Sequence, residues 1–337
     1  MPQKTAILLI NLGTPKSPSV KHVRQYLTEF LNDPRVIDIH PLKRFFLVNG
    51  IIIPFRASKS AKIYKKLWTK EGSPLLLYGE KVKTLLQQSL GSEFHVELAM
   101  RYQEPSLNNV LEKMRKMNFT KIVLLPLFPQ YASSSTGSAV EKAMSIIKKW
   151  WVIPEIEIIS QFYDHPLFSK TFAEIAKKYS PESFDHVLFS FHGLPVRQLD
   201  KVYFDNKPCS DHNCEKEVNE ENKFCYKATC YATARMIAAE LNLSPEKYSV
   251  AFQSRLGKDP WVEPFSDIVI ADMPKKGIKK LLVFSPAFIA DCLETTIEIG
   301  DEYTHLFKEN GGEKLQLVES LNDHPGFVQM LRELVLH

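Results

Sequence analysis

The strongest constraint on the fold is a repeated series of short apolar segments separated by amphipathic ones. Segments such as 20–31, 107–117 and 231–241 carry apolar residues at the helical spacing of three to four. Between such segments lie eight strand-like apolar runs, four in each half of the chain, at residues 5–12, 95–102, 121–128, 155–162, 186–192, 248–254, 279–285 and 315–321. Strands that alternate with helices form parallel sheets, so the sequence predicts an α/β protein.

Short motifs recur in the same order in both halves. Repeats in a fixed order indicate related structural units and are more specific than alternation alone. The echoes are LLINLGTP at 8–15 with LFSFHGLP at 188–195, LLPLFPQY at 124–131 with LLVFSPAF at 281–288, and DHPLF at 164–168 with DHPGF at 323–327. We therefore expect two similar domains, each with a four-stranded parallel sheet flanked by helices.

Length and composition fit this organisation. The chain has 337 residues, 44% of them hydrophobic and 24% charged, which is enough for two domains of about 150 residues each. The net charge is +4, and the lysines and arginines are scattered, so no nucleic-acid partner is predicted. Met1 to Lys4 lead straight into the first strand without a charged leader, and the five cysteines are an odd number, which argues against a disulfide framework. We expect a cytoplasmic protein.

Three acidic residues follow the apolar strand at 279–285. Asp291, Glu294 and Glu298 are spaced i, i+3 and i+7, which places their carboxylates within an arc of about 60° on one helix face. A solvated acidic face near a helix N-terminus would explain part of this pattern. The position favours a site, because ligands of open α/β sheets bind at the carboxyl ends of strands.

Aligning the two halves assigns the titratable groups to the second half. His192 falls at the carboxyl end of its strand, where it could accept protons or ligate a metal together with carboxylates, although a lone histidine is often structural. Alignment of Pro129 with Pro286 and of Gly13 with Gly193 places Ser134 opposite Asp291, Gly137 opposite Glu294, and Leu12 opposite His192. The pattern predicts a cleft with a proton-handling wall.

Each half carries one long insertion. The first, about residues 33–80, contains the apolar run Phe45–Phe55, which is too short to span a bilayer. We call Phe45–Phe55 the lip. It is either a second layer of core or a surface that grips a flat hydrophobic ligand or contacts a membrane.

The second insertion, about residues 200–230, is rich in cysteine. Its cysteines follow the spacing C-x4-C-x10-C-x4-C, which is a strong metal-site signal in a reducing compartment, redox-active thiols being the alternative. Tetrahedral sulfur ligation suits zinc and an iron-sulfur cluster alike. Cys292 stands apart on the acidic helix and is excluded from this site. The ligands would be Cys209, Cys214, Cys225 and Cys230.

These motifs together resemble the ferrochelatases, which insert ferrous iron into a porphyrin in haem synthesis. The fold implied is two Rossmann-like domains around a porphyrin cleft, here an N-terminal domain at 1–162, a C-terminal domain at 163–322 and a C-terminal helix at 323–337. The resemblance runs nearly end to end, through Leu9–Pro15, Tyr26–Asp38, Trp68–Leu75, Met100–Tyr102, Pro129–Tyr131, Ser133–Ser138, Ser190–Pro195, Phe252–Gly257, Pro260–Trp261 and Asp291–Glu294.

The resemblance also implies roles for individual residues. His192 would be the proton acceptor or a ligand of the substrate Fe2+, and Glu294, with Asp291 and Glu298, would form a carboxylate path for iron or protons. Cys292 departs from the family pattern, in which a histidine often stands beside the acid. The residues around protoporphyrin IX would be Arg101, Tyr102, Tyr131, Ser133 and Trp261, with the lip at the mouth and in possible peripheral contact with the inner face of a membrane.

Some ferrochelatases carry a 2Fe-2S cluster, usually with ligands in a C-terminal extension. This chain has no cysteine near its C-terminus, so all four ligands would come from the internal insertion. The resemblance therefore favours 2Fe-2S over zinc. Because metal insertion involves no net electron transfer, such a cluster would be structural or a sensor. The alternative functions are a coproporphyrin or cobalt chelatase of the same fold and a non-catalytic haem or metal carrier.

Overall fold

A computed structural model describes residues 5–257 and 259–336. The chain forms two compact units. The first contains the described residues up to Phe128, Ala132–Gln161 and those from Val328 onward, and the second contains Pro129–Tyr131 and Phe162–Phe327. The sequence predicted boundaries after residues 162 and 322, with the C-terminal helix at 323–337 separate from both domains, whereas here the residues from Val328 onward belong to the first unit and Pro129–Tyr131 to the second.

Each unit is built on one four-stranded parallel sheet. In the first the order is β2-β1-β3-β4, and in the second it is β6-β5-β7-β8. The order is the same when β1 is matched with β5, so the predicted α/β fold with two similar four-stranded sheets is confirmed. The strands are β1 (Thr5–Gly13), β2 (Phe94–Tyr102), β3 (Lys121–Pro126), β4 (Glu155–Ile158), β5 (His186–His192), β6 (Tyr248–Gln253), β7 (Lys280–Phe284) and β8 (Lys314–Leu317).

Helices connect the strands in both units. Several begin at the expected signals: Ser19 and Ser106 accept backbone hydrogen bonds as N-caps of α1 and α5, and proline occupies the first turn of α4 and α7. The α-helices are α1 (Val20–Leu31), α2 (Pro41–Phe46), α3 (Ile53–Leu67), α4 (Pro74–Leu90), α5 (Leu107–Lys116), α6 (Ser138–Ile147), α7 (Pro166–Lys177), α8 (Val196–Asp200), α9 (Tyr226–Glu240), α10 (Ser266–Asp272), α11 (Thr304–Glu309) and α12 (Pro325–Leu336).

Three helical segments have the wider π geometry, with hydrogen bonds from i to i+5. They are Leu47–Ile52 between α2 and α3, Ser133–Gly137 before α6, and Leu293–Tyr303 before α11. π-Helical turns are rare in proteins, and many of those that occur lie at functional sites. Short 3-10 turns complete the described structure at Pro181–Ser183, Cys209–His212, Pro245–Lys247 and Met273–Lys276.

Each unit is stabilised by its own apolar core. In the first, α5 and α6 pack on β1 and β3 through residues such as Leu111 and Ile147, and α1 packs with the lip segment and Tyr102. In the second, α10 and α11 pack on β5 and β7 through residues such as Ile270 and Phe307. The inner strands, such as β1 and β5, are buried on both faces and read as continuous apolar runs, which explains why the sequence located them.

Several strands are shorter than the sequence predicted. β4 ends at Ile158 rather than at 162, and β8 ends at Leu317 rather than at 321. The apolar residues beyond them, such as Phe162 and Leu321, are buried in loops without continuing the ladder. An apolar run therefore reports burial, whereas strand pairing also needs a neighbour. α9 begins at Tyr226, earlier than the predicted 231, because Cys225 occupies its N-cap position.

Candidate active site

His192 is the last residue of β5, at the carboxyl end of the second sheet. Its half-buried ring lies 6.3 Å from the Phe288 ring in an edge-on arrangement. Nδ1 lies 2.6 Å from the carbonyl oxygen of Gly193. Because a carbonyl oxygen can only accept, Nδ1 carries the proton, and in the neutral ring the lone pair is on Nε2. No residue that the structure describes donates a hydrogen bond to Nε2, so this atom can take a proton or bind a metal.

Gly193 lets the ends of β5 and β6 approach closely. Its amide N–H donates to the carbonyl oxygen of Gln253 at 2.8 Å. A Cβ at this position would lie 2.9 Å from that oxygen and 3.2 Å from the Trp261 ring. The Trp261 ring therefore packs against Gly193, the residue after His192, and its Nε1 donates to the Leu256 carbonyl oxygen at 2.8 Å. Glycine at this position is therefore required by packing.

Glu298 lies on the π-helix Leu293–Tyr303, and its carboxylate accepts three hydrogen bonds. The donors are Ser254 Oγ at 2.5 Å, Gln253 Nε2 at 3.0 Å and Tyr303 Oη at 3.0 Å. Ser254 follows β6 with a φ of 66°, which turns its hydroxyl toward the acid. Burial, and then the charge of Glu298, raise the pKa of the Tyr303 hydroxyl well above its usual value, so it stays a donor.

Gln253 organises this part of the site. It is 1% exposed, and its amide nitrogen also donates to the Glu294 carbonyl oxygen at 2.8 Å. Its amide oxygen accepts from Ser190 Oγ at 2.7 Å. One buried side chain therefore fixes the register of the π-helix that carries Glu294 and Glu298. The sequence interpretation included Gln253 in a family motif and assigned it no role.

The prediction that Asp291 shares a helix face with Glu294 and Glu298 is wrong. The helix begins at Leu293, and Cys292 before it is extended, so Asp291 lies in the preceding turn. Its carboxylate accepts from the Ser320 backbone N–H at 3.0 Å and from Asn322 Nδ2 at 2.8 Å. The α-helical period used for the prediction does not apply, because this segment starts later and has π geometry.

The π-helices also change which residues of the two halves correspond. β3 and β7 each lead through a short loop to a π-helix that begins at Ser133 or at Leu293. Matching these starts pairs Glu294 with Ser134 rather than with Gly137. The contrast between a neutral first half and a charged second half is retained, because the partner of Glu294 is still uncharged.

Cys292 is buried at the N-cap of this π-helix. Burial, and then the neighbouring Glu294, raise the pKa of its thiol well above the ordinary value. It is therefore a neutral thiol beside the acids.

Arg101 belongs to a buried polar network of the first unit. It forms an ion pair with Asp33, and its Nε donates to Ser138 Oγ at 2.7 Å. Tyr102 is 1% exposed, and its hydroxyl donates to Asp33 at 2.8 Å. Burial raises the pKa of Asp33, but hydrogen bonds from Ser138, the Arg35 backbone and Tyr102, with the Arg101 charge, outweigh it and leave the pKa lowered.

Two further predicted site residues have identified partners. Ser133 Oγ accepts from Arg35 Nη1 at 2.8 Å in the first unit. In the second unit, the half-buried Tyr131 lies edge-on to Phe224 at 5.6 Å. Asp33, Arg35 and Ser138 were missed as site residues, although they fall in sequence motifs that carried the family resemblance.

The lip is an exposed apolar surface on the first unit. Phe45 is 57%, Phe46 67%, Ile51 57% and Phe55 74% exposed. Its inner residues Val48 and Ile53 are buried and pack in a cluster with Tyr102. The buried residues of the lip therefore attach it to the core, while its outer aromatic rings remain accessible to solvent. None of the described helices is long and apolar enough to cross a membrane.

Three of the four predicted cysteine ligands come together in the second unit. The Sγ atoms of Cys209, Cys214 and Cys225 are 3.5, 3.5 and 3.7 Å apart, and all three residues are buried. Sulfurs bound to one tetrahedral metal at about 2.3 Å are about 3.8 Å apart, so this donor set fits a metal. Cys230 is buried in the second turn of α9 and lies outside the group found among the described residues.

The surroundings of the three sulfurs favour a single thiolate, at Cys225. Hydrogen bonds to the other two sulfurs, and then burial, raise the pKa of the Cys209 thiol. A hydrogen bond from Cys209 lowers the pKa of the Cys214 thiol, but its hydrogen bond to Cys225 and its burial outweigh this and leave the pKa raised. The pKa of Cys225 is lowered to about 3, because Cys209, Cys214 and Tyr203 donate hydrogen bonds to its sulfur. Tyr203 Oη lies 2.8 Å from Cys214 Sγ, and its ring stacks on His212 with centroids 3.7 Å apart. Burial and the neighbouring sulfurs raise the pKa of Tyr203 well above its usual value, so its hydroxyl remains a donor.

Comparison with known proteins places these features in context. A family model described as ferrochelatase matches residues 4–337. The ferrochelatase of Legionella pneumophila (strain Paris) is 42% identical over 332 residues, covering 98% of this chain and 98% of that protein. The ferrochelatase of Coxiella burnetii (strain Dugway 5J108-111) is 42% identical over 335 residues, covering 98% and 93%.

Solved structures with low sequence identity share the fold. SirB from Bacillus subtilis with Fe3+ has a TM-score of 0.55 at 12% identity, covering 99% of this chain and 94% of that one. SirB from Bacillus subtilis subspecies spizizenii, a sirohydrochlorin chelatase in complex with cobalt, has a TM-score of 0.53 at 12% identity, covering 97% and 92%. At this identity the likeness concerns the fold alone.

Proposed function

The chain belongs to the ferrochelatase family and is a lyase, a metal chelatase of haem biosynthesis, and from that premise we propose which of its residues carry the reaction. The substrates proposed are Fe2+ and protoporphyrin IX. As the iron forms bonds to the four pyrrole nitrogens, two N–H bonds break and two protons leave, so the charge of the metal is balanced. The protein must therefore bind the ring, attract the cation and accept protons.

His192 is the proposed proton acceptor. The observation that carries this role is its Nδ1–H donated to Gly193, which leaves the lone pair of the neutral ring on Nε2. The same lone pair could hold Fe2+ transiently as the metal sheds water. General bases of this kind contribute about 10²- to 10⁴-fold to rate.

Glu294, Glu298 and Asp291 are proposed as the acidic part of the site. Three hydrogen bonds fix the Glu298 carboxylate, so it can supply negative potential toward Fe2+ without reorganising. Glu294, one π-turn earlier, is proposed to contact the incoming Fe2+ or relay protons. Asp291 contributes negative potential from the preceding turn, where Ser320 and Asn322 hold it.

The macrocycle is proposed to bind against Arg101, Tyr131, Ser133 and Trp261. Trp261 and Tyr131 offer aromatic surface, which suits a flat apolar ring. Tyr102 is buried, so it is proposed to act by holding Asp33 and thereby Arg101. Contacts remote from the nitrogens can offset the cost of bending the ring, which exposes its nitrogens to base and metal.

The lip is proposed to line the mouth of the porphyrin site and to contact a membrane surface peripherally. Its exposed aromatic side chains support both roles, because porphyrin and lipid are apolar. Replacing Phe46 and Phe55 with serine should weaken porphyrin binding, measured by quenching of porphyrin fluorescence. Unchanged binding would contradict the first role.

The cysteine-rich insertion is proposed to hold a resident metal centre. Cys209, Cys214 and Cys225 supply three thiolates, and Cys230, the fourth thiol of the insertion, completes the set for a 2Fe-2S cluster. The single-metal spacing of the three sulfurs favours zinc as the second candidate. In either form the centre would cross-link the insertion. Analysis of iron, acid-labile sulfide and zinc in protein purified without oxygen distinguishes them.

An anaerobic metallation assay tests the chelatase site. Wild-type protein mixed with Fe2+ and protoporphyrin should remove free-porphyrin fluorescence, and His192→Ala should do so at least about 10²-fold more slowly. His186→Ala is the matched control, because His186 is the first residue of the same strand and lies at its opposite end. Porphyrin binding should be retained in both variants.

The same assay separates the alternatives. Metallation of coproporphyrin or insertion of cobalt in preference to iron would identify a different chelatase of the same fold. Binding of porphyrin without metallation by any metal would favour a haem carrier. Equal rates for His192→Ala and His186→Ala would contradict the role of His192.

A further inference from the structure

A second exposed apolar surface lies between α6 and β4 in the first unit. It is the segment 148–154, which we call the Trp151 loop. Trp151 is 99% exposed, Val152 68% and Ile153 53%. Three consecutive apolar side chains, one of them a tryptophan with almost no contact with its own protein, call for an explanation.

The loop is held in place by its neighbour Trp150. This residue is 6% exposed and packs in the core cluster with Met114 and Phe119. Its Nε1 donates to Glu112 at 3.3 Å, and its backbone N–H donates to the Ile147 carbonyl oxygen at 2.9 Å. One tryptophan therefore fixes the loop while the next is presented outward.

The fold itself does not require an apolar tip here. The equivalent connection of the second unit, between α11 and β8, is the polar segment 310–313, Asn-Gly-Gly-Glu. It closes with backbone hydrogen bonds from Gly311 to Lys308 and from Gly312 to Phe307. Because the duplicated unit makes the same connection with glycines, the apolar residues of the Trp151 loop serve another purpose.

Basic side chains lie in the loop itself and at the end of α5, the helix against which Trp150 packs. Lys148, Lys149 and Lys116 are exposed and form no ion pair with the part of the chain that the structure describes. The acidic neighbours are engaged: Glu112 pairs with Arg115 at 2.8 Å, and Lys121 holds both carboxylates at the start of β4, those of Glu155 and Glu157, at 3.3 and 2.7 Å. The tip is apolar, and the surface that flanks it carries unpaired positive charge.

We propose that the Trp151 loop is an anchor for an anionic lipid bilayer. Tryptophan prefers the boundary between headgroups and acyl chains, and lysines beside it attract anionic headgroups. The apolar residues lie at the tip of a loop rather than in a groove, which suits insertion into an interface better than docking of a protein segment.

This surface is distinct from the lip. The loop leads directly into the first residue of β4, so it lies at the amino edge of the first sheet. The buried side of the lip packs with Tyr102, the last residue of β2, at the carboxyl edge. Nine residues of strand span about 30 Å, so one flat bilayer engages one of these surfaces at a time. The proposal does not depend on the chelatase reaction.

Vesicle sedimentation tests the proposal with the full chain. Wild-type protein should bind vesicles of equal parts phosphatidylcholine and phosphatidylglycerol, and bind phosphatidylcholine alone much more weakly. Trp151→Ala with Val152→Ser should weaken binding to the anionic vesicles at least about tenfold. Lys148→Glu with Lys149→Glu should weaken binding to the anionic vesicles by about fivefold or more for each lysine. Added salt should also weaken this binding, because it screens the attraction between lysines and headgroups.

Two control variants make the result specific. Phe204→Ser removes an aromatic residue that is 98% exposed on the second unit, and it should leave binding unchanged. Phe46→Ser with Phe55→Ser removes the aromatics of the lip, the other proposed membrane contact, and the binding to anionic vesicles that this variant retains measures the share of the Trp151 loop. Brominated lipids should quench wild-type tryptophan fluorescence more than that of Trp151→Phe, which reports insertion of this ring.

Three outcomes would overturn the proposal. The first is that wild-type protein does not bind anionic vesicles. The second is that the lip variant loses binding while the Trp151 variant retains it fully. The third is that the Trp151 variant changes its oligomeric state, measured by sedimentation, with no change in vesicle binding. The last would assign the loop to a contact between copies of this chain. Unchanged circular dichroism and unfolding temperature of each variant show that it has folded.

Discussion

At the scale of single residues, the site depends on a neutral side chain. Gln253 joins the end of β6 to the π-helix by hydrogen bonds to Glu294 and Glu298, and it accepts one from Ser190. The sequence drew attention to His192 and to the acids because their chemistry is recognisable. An amide has no such signature, and only the strand register shows that it lies between them.

A tyrosine pair tests whether positioning of Glu298 matters for catalysis. Tyr303→Phe removes one of three donors to the Glu298 carboxylate, so we expect kcat to fall about tenfold with little change in KM for porphyrin. Tyr179→Phe is the matched control, because its hydroxyl donates to Glu319 at 2.6 Å. Both changes should cost about 1.5–3 kcal/mol of stability, since each removes a bond to a charged group.

Steady-state kinetics and thermal unfolding measured on both variants separate the two effects. A structural role alone would lower the unfolding temperature of both proteins and leave kcat equal. Equal kcat values would therefore contradict the positioning role of Tyr303.

At the scale of secondary-structure elements, the π-helices account for the main error of the sequence interpretation. The sequence interpretation identified the acidic residues correctly. It assumed an α-helical period of 3.6 residues, which placed Asp291 on the same face as Glu294 and Glu298. The hydrogen-bonding choice between i+4 and i+5 is made by tertiary contacts such as those of Gln253, which sequence periodicity does not reveal. Helix α1, which has a serine cap and a regular apolar face, was predicted with its observed bounds.

Close approach of strand ends is a second property of the elements, and Gly13 tests it. This residue has a φ of 118°, and a Cβ would lie 2.0 Å from the Tyr102 carbonyl oxygen. Gly13→Ala should therefore push the ends of β1 and β2 apart and destabilise the protein by about 3 kcal/mol or more. Gly91→Ala is the control, because Gly91 has a φ of 73° and open space around its Cα.

The control should cost only about 1 kcal/mol, since it meets backbone strain without a clash. Urea unfolding of the two variants measures the difference. Equal losses of stability would show that the conformation of Gly13, and not the packing of the strand ends, is what requires glycine.

At the scale of the whole molecule, the duplication was the most informative feature of the sequence. It predicted two similar domains, each with a four-stranded parallel sheet, and the structure shows two such sheets with equivalent strand orders and separate cores. The sequence could not predict contacts between residues far apart in the chain, such as the network that joins Asp33 to Arg101 and Ser138. Nor could the cysteine spacing show that three thiols cluster without Cys230, because that depends on where α9 begins.

The proposed metal centre should stabilise the second unit as a whole, and its removal tests this. Metal bound by Cys209, Cys214 and Cys225 cross-links the insertion to the start of α9, and binding free energy that requires the folded site adds to folding stability.

Cys214→Ser should therefore abolish the bound metal and lower the unfolding temperature by about 5 °C or more. Cys292→Ser, which changes a buried cysteine outside the group, should keep the full metal content. In a 2Fe-2S centre, Tyr203→Phe should keep the metal and shift its absorption or reduction potential, because a hydrogen bond to a ligand sulfur is lost. Metal analysis with calorimetry measures all three variants, and equal metal content in Cys214→Ser and Cys292→Ser would show that the clustered thiols are not a metal site.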